Sequence, residues 1–171
     1  LARGARTVMI LGGEPTIHIA SLLEFVASLP PTACLVLKTN ALFSSPARRL
    51  LADLFDLWLP DFKFGNDACA TRLSGARNYW AALTGNLRWI AEEGGGDLIV
   101  RHLLMPGHVD CCWFPVARWL ARELPSARVS LRDGYWPGWQ AYRHPELRRS
   151  LAAGELERAR AEALRLGLHT V

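Results

Sequence analysis

Short apolar runs recur along this chain, each closed by glycine, proline, asparagine or charged residues and separated from the next by a longer stretch of helical period. The runs are residues 7–11, 34–38, 54–59, 97–104 and 128–131. A helical crossover returns the chain to the end from which the previous strand started, so strands joined in this way lie parallel, and parallel strands are covered on both faces. The pattern therefore predicts an α/β fold with a parallel sheet.

The intervening segments carry their own punctuation. Residues 20–28 place Leu22, Leu23 and Val26 on one side and stop before Pro30 and Pro31. Ser45 followed by Pro46 reads as an N-cap with proline in the first turn, and Leu50, Leu51 and Leu54 supply the buried stripe behind it. Residues 78–93 form a longer helix, with Tyr79, Leu83, Leu87 and Ile90 in phase, ended by Gly94, Gly95 and Gly96. Another helix starts at Asp110 or Cys111 and closes at Pro125. Residues 145–166 read as one charge-striped helical tail with Gly167 as its stop. With 171 residues, half of them hydrophobic, the chain suits one domain better than two.

The charge of +4 comes from eighteen Arg and two Lys against sixteen acids, and no window concentrates the arginines with interleaved aromatics. Nucleic-acid binding is not expected. No apolar run approaches the ~20 residues of a membrane span, which predicts a cytoplasmic protein with no membrane partner. Cys34, Cys69, Cys111 and Cys112 show no CxxC spacing, so reduced thiols are expected.

Ligands of parallel α/β folds bind at the carboxyl ends of the strands. Those ends read GGEP (Gly12 to Pro15), KTN (Lys38 to Asn40), PDFK (Pro60 to Lys63), MPGH (Met105 to His108) and RDGYW (Arg132 to Trp136). Gly12 and Gly13 allow close approach of main-chain groups to a ligand, and Glu14 either accepts from an amine or caps the next helix. Asp61 and Lys63, two residues apart, project to the same side and either bind adjacent hydroxyls or form an ion pair. The run HVDCC, His108 to Cys112, offers imidazole, carboxylate and thiol ligands. Adjacent cysteines at a helix start are expected to point apart, however, and no second cluster supplies the remaining ligands, so no metal ligand is assigned. Convergence of His108 with the thiol of Cys111 or Cys112 would reverse that. GxSxG, P-loop, GxGxxG and HExxH motifs are absent from the sequence.

The ordered set GGEPT, TN, LPDFKFG and RHLLMPGH resembles the radical SAM superfamily, and within it the iron-sulfur proteins related to pyruvate formate-lyase activating enzyme. The resemblance implies a partial (β/α) barrel, truncated at its N-terminal βα unit, that binds S-adenosylmethionine beside a 4Fe-4S cluster. It implies that Gly12, Gly13, Glu14 and Pro15 receive the methionyl amine and that Asp61 and Lys63 lie near the ribose. Thr39, Asn40, Arg101 and the loop around Gly134 and Tyr135 would be further neighbours. Reductive cleavage of S-adenosylmethionine would yield a deoxyadenosyl radical that abstracts hydrogen. The implied partners are a glycyl radical enzyme or other protein substrate and an electron donor such as flavodoxin or ferredoxin.

The superfamily's cluster-binding CxxxCxxC is not in this sequence. Together with Leu1 in place of Met, this leads to the expectation that the chain is a fragment whose cluster ligands lie upstream, inactive by itself. The alternative is a non-catalytic S-adenosylmethionine-binding or scaffold remnant. Lys38 stands where activating enzymes commonly carry an acid of a monovalent-cation site, and its ammonium is expected to replace that cation opposite Asp61.

Overall fold

The structure, a computed structural model, describes residues 4–171. Leu1, which prompted the reading of a fragment, lies outside the described residues. Among the described residues six parallel strands are joined by six helices, giving the expected α/β fold, and these residues pack as two compact units. One comprises the residues through Asp61 together with Ala81–Ile99; the other comprises Phe62–Trp80 and Val100–Val171.

In the first unit, β1 (Thr7–Ile10), β2 (Cys34–Thr39), β3 (Leu57–Pro60) and the start of β4 (Asp97–Leu103) are neighbours in that order, all parallel. Leu35, Val36 and Leu37 of β2 are buried, as a continuous apolar run between two other strands should be. Among the described residues β1 pairs with β2 alone, so Thr7 and Met9 stay exposed where full cover was expected. The crossovers are α1 (Ile19–Ala27), entered through a 3-10 turn at Pro15–His18, and α2 (Ser45–Leu51). The N-cap of α2 is Ser44 rather than Ser45. β3 begins three residues later than its apolar run: Asp53 takes a left-handed conformation (φ 58°), and the Asp56 carboxylate, not a strand carbonyl, accepts from the Leu35 N–H at 2.6 Å. Phe43, Phe55, Trp58 and Trp89 pack edge to face or tilted, with centroids 5.0 to 6.3 Å apart.

In the second unit the rest of β4 is followed by β5 (Arg128–Arg132) and by a short β6 (His169–Thr170) absent from the sequence reading. Helix α4 (Tyr79–Glu93) begins here and continues in the first unit. Phe62 is surrounded by Tyr79, Trp80 and Trp119. The buried His102 donates from Nδ1 to the Phe62 carbonyl at 2.6 Å and packs on Trp113.

The sequence reading also passes over α3 (Asp67–Ser74), capped by Asn66, whose side chain accepts from the Cys69 N–H at 2.8 Å, and closed by the left-handed Gly75. The expected helix from Asp110 opens as a π-turn, Val109–Trp113, before α5 (Phe114–Glu123). The N–H groups of Cys112 and Trp113 both donate to the His108 carbonyl. Pro115 has no N–H to offer the Cys111 carbonyl four residues back, and the Asn66 side-chain amide donates there instead at 2.8 Å.

The expected tail helix is broken into a 3-10 turn, Pro145–Arg148, and α6 (Ala153–Arg165). The break has a cause in Glu155: its carboxylate accepts from the Ala152 N–H and binds Arg149, which fixes the helix start at Ala153. Among the described residues no helix is long and apolar enough to cross a membrane.

Candidate functional site

In the first unit the strand-end residues meet at one carboxylate. Glu14 Oε1 accepts from the Thr16 N–H (3.2 Å), the Thr16 hydroxyl (2.7 Å) and the Thr39 hydroxyl (2.7 Å), while Oε2 accepts from the Asn40 N–H at 2.5 Å. Thr39 Oγ1 in turn accepts from the Ala41 N–H, and Asn40 Oδ1 from the Leu42 N–H. Buried Asn86 fixes this second loop from behind, donating to the carbonyls of Ala41 and Phe43 at 2.8 Å each. Glu14 therefore caps the turn that follows it, as one of its two readings holds, and also fastens the loop after β1 to the loop after β2. Sequence pattern could not show the second role.

With its oxygens committed in this way, Glu14 sets the position of the backbone before it. Gly12 and Gly13 have φ of 99° and 52°, values that L side chains rarely adopt, and a Cβ at either would meet nothing within 4 Å. Their main chain is exposed and approachable, and Pro15 fixes the first 3-10 residue behind it. Asp61, half-buried, donates its N–H to the Thr39 carbonyl at 2.8 Å. The β2–β3 register pairs Lys38 with Leu59, and Asp61, two residues on, projects to the same face as Lys38. Lys63 and Arg101 belong to the second unit, where the Lys63 N–H donates to the Tyr79 hydroxyl and the Arg101 carbonyl accepts from Phe62.

The second unit gathers a different set. Cys111 Sγ lies 3.2 Å from His108 Nδ1, Cys112 Sγ 3.6 Å and Cys69 Sγ 3.8 Å, while Cys111 Sγ is 3.7 Å from that of Cys69 and 3.9 Å from that of Cys112. All four ligand atoms fall within 4.8 Å of one another. The expectation that adjacent cysteines diverge fails here because the π-turn widens the backbone. The residue that the sequence does not single out, Cys69, comes from helix α3; Asn66 and Gly75, a cap and a stop with eight residues between them, are the signal available. Burial raises the Cys111 thiol and pushes that of Cys112 well above the ordinary thiol range. Burial likewise lowers His108, whose Nε2 lies 3.2 Å from Arg72 Nη2 and 3.5 Å from Glu146 Oε1. Such a set can hold one metal ion. It has no room between its sulfurs for the iron-sulfide cube of a 4Fe-4S cluster, so these residues do not fit that cofactor.

On the loop after β5, Trp136 and Trp139 are 81% and 90% exposed and Tyr142 is exposed too, while half-buried Tyr135 donates its hydroxyl to the Leu147 carbonyl at 2.8 Å.

No family model matches the chain. An uncharacterized protein of Methanocaldococcus jannaschii is 34% identical over 155 residues, which cover 91% of this chain and 45% of the relative. The chain thus spans less than half the length of that curated relative. Among solved structures, a domain of pyruvate-formate lyase-activating enzyme from Bacteroides vulgatus superposes with a TM-score of 0.75 at 18% identity, covering 96% of each chain. Streptococcus suis SuiB gives 0.68 at 14% identity, covering 96% of this chain and 38% of SuiB. SuiB bound to S-adenosylmethionine gives 0.62 at 13%, with 96% and 39% covered. The fold is the partial barrel found in radical SAM enzymes.

Proposed function

We propose that this chain is the S-adenosylmethionine-binding part of a radical SAM protein related to the activating enzymes of glycyl radical enzymes. The observation that carries the reading is the Glu14 knot. It holds two consecutive left-handed glycines open at the carboxyl end of a barrel strand, in a fold shared with a protein solved with S-adenosylmethionine bound.

In this reading the carbonyl groups around Gly12 and Gly13 accept from the methionyl ammonium, while Glu14 supports them through Thr16, Thr39 and Asn40. Asp61 accepts from ribose hydroxyls, and Lys38, on the same face, balances its charge. The sequence resemblance also implies Lys63 and Arg101, which lie in the second unit. A 4Fe-4S cluster supplies the electron for reductive cleavage in enzymes of this kind, and its ligands would come from outside these residues. The partners proposed for the whole protein are a glycyl radical enzyme or other protein substrate and a small electron-transfer protein.

Titration calorimetry of the full-length protein with S-adenosylmethionine tests the binding claim. Saturable binding that is weakened in Glu14→Gln is expected, and no binding overturns the proposal. Formation of deoxyadenosine by the cluster-reconstituted full-length protein under reduction tests the chemistry, and its absence with an intact cluster leaves a binding or scaffold role only.

A further inference from the structure

Three sulfurs and one imidazole nitrogen converge in the second unit, their ligand atoms all within 4.8 Å of one another. Nδ1 of His108 can carry one proton, yet three sulfurs lie within 3.8 Å of it. The sulfur separations of 3.7 and 3.9 Å are far from the ~2.05 Å of a disulfide, and all four cysteines are free.

A tetrahedral ion with metal–sulfur bonds of ~2.3 Å and a metal–nitrogen bond of ~2.0 Å would separate its ligands by about 3.8 Å, sulfur to sulfur, and about 3.5 Å, sulfur to nitrogen. The Cys69–Cys111 and Cys111–Cys112 sulfur pairs lie within about 0.1 Å of the first figure, the Cys69–Cys112 pair lies within 4.8 Å, and the sulfur–nitrogen pairs lie within about 0.3 Å of the second. Soft thiolates with one imidazole in tetrahedral array select zinc over calcium, magnesium or manganese.

We propose that Cys69, Cys111 and Cys112 through their sulfurs, and His108 through Nδ1, bind a single zinc ion in a closed structural site. Binding displaces the three thiol protons and leaves the site with one net negative charge. The ring proton of His108 then resides on Nε2 and is donated to Glu146 Oε1, the carboxylate oxygen that Arg72 Nη1 also holds at 2.7 Å. Arg72 Nη2, now facing a donor, turns away from Nε2.

Other features of the unit suit such a site. Gly65 lies so close to the turn that a Cβ there would be 2.5 Å from the carbonyl oxygens of Cys111 and Cys112, and its N–H donates to the Cys112 sulfur. Helix α3 is only eight residues long, too short to persist by itself, and Cys69 would tie it to the turn carrying His108. With no fifth ligand position, the ion fastens structure and does no chemistry. The inference stands whether or not the chain binds S-adenosylmethionine.

Elemental analysis of the protein purified without chelator should give about one zinc per chain. Cobalt exchanged into the site should show intense thiolate charge-transfer absorption with the ligand-field bands of four-coordination. In the loaded native protein exposed Cys34 alone should react rapidly with a thiol reagent, and the other three only after chelation. Cys69→Ser and Cys112→Ser should lose the metal. Because those substitutions also remove buried packing, Glu146→Gln serves as the second test, with an expected fall of about 10- to 100-fold in zinc affinity by chelator competition and unchanged helical circular dichroism. Protein without zinc, iron with acid-labile sulfide in its place, a six-coordinate cobalt spectrum, or an affinity indifferent to Glu146→Gln would each overturn the assignment.

Discussion

The loop after β1 and the turn after β4 both gather polar atoms just past a strand, but they are satisfied in opposite ways. Glu14 meets four donors, all from neutral groups, and its own chain supplies every partner. The cluster at His108 brings together three thiol sulfurs and one imidazole nitrogen, each able to bind a metal ion once its proton is displaced. The first is a finished hydrogen-bond knot that leaves the glycine backbone in front of it available; the second, in the zinc-bound form proposed above, is completed by an ion at its centre. A buried acceptor is stable when donors surround it, whereas converging acceptors mark a place for a positive charge.

Glycine substitutions probe the contrast most severely. Gly65→Ala drives a methyl against two carbonyl oxygens at 2.5 Å and should cost about 3 kcal/mol in denaturant unfolding, with zinc affinity reduced. Gly13→Ala meets open space and should cost only its left-handed backbone, about 1 kcal/mol. Equal costs at the two positions would remove the distinction between a close-packed turn and an open loop.

Removing the Glu14 carboxylate should come next in size. Glu14→Ala strands the Asn40 N–H and the Thr39 hydroxyl, and a loss of about 2 to 3 kcal/mol is expected, with faster amide exchange over residues 39–42. Glu14→Gln, which keeps one acceptor oxygen, should fall between wild type and Glu14→Ala. A change below about 0.5 kcal/mol would show that Asn86 alone holds the second loop.

The smallest effect is in pH. Burial lowers His102 to about 4, partly offset by its hydrogen bond to the Phe62 carbonyl. Because the folded value lies below the unfolded one, the unfolded chain binds more protons between them. The contribution of His102 to stability is present above about pH 6.5 and is lost as the pH falls towards 4. Stability measured by denaturant across that window should drop by on the order of 2 kcal/mol more in wild type than in His102→Gln. Parallel profiles for the two proteins would mean that His102 is solvated in the folded state.

Legibility in the sequence followed the range of the interactions. Strands β2 and β4 were read within a residue of their ends, because a strand covered on both faces must be apolar along its length. β3 begins three residues after its apolar run does, since Leu54 and Phe55 are apolar but Asp53 is left-handed and the Asp56 carboxylate takes the Leu35 N–H. Thr39 and Asn40 were named with Glu14, and the hydrogen bonds join all three. The metal group was set aside, because its fourth member sits on a helix with little periodicity and the divergence of Cys111 and Cys112 assumed a regular α-helix.

The sequence by itself determined the parallel α/β order and the residues at its strand ends, since apolar period and turn chemistry act within a few residues of the chain. Only the tertiary structure decided what those residues touch. Glu14 reaches across 25 and 26 positions to Thr39 and Asn40, and Cys69 across 39 to His108. Such pairings depend on how strands register and where a proline opens a helical turn, which no local pattern encodes.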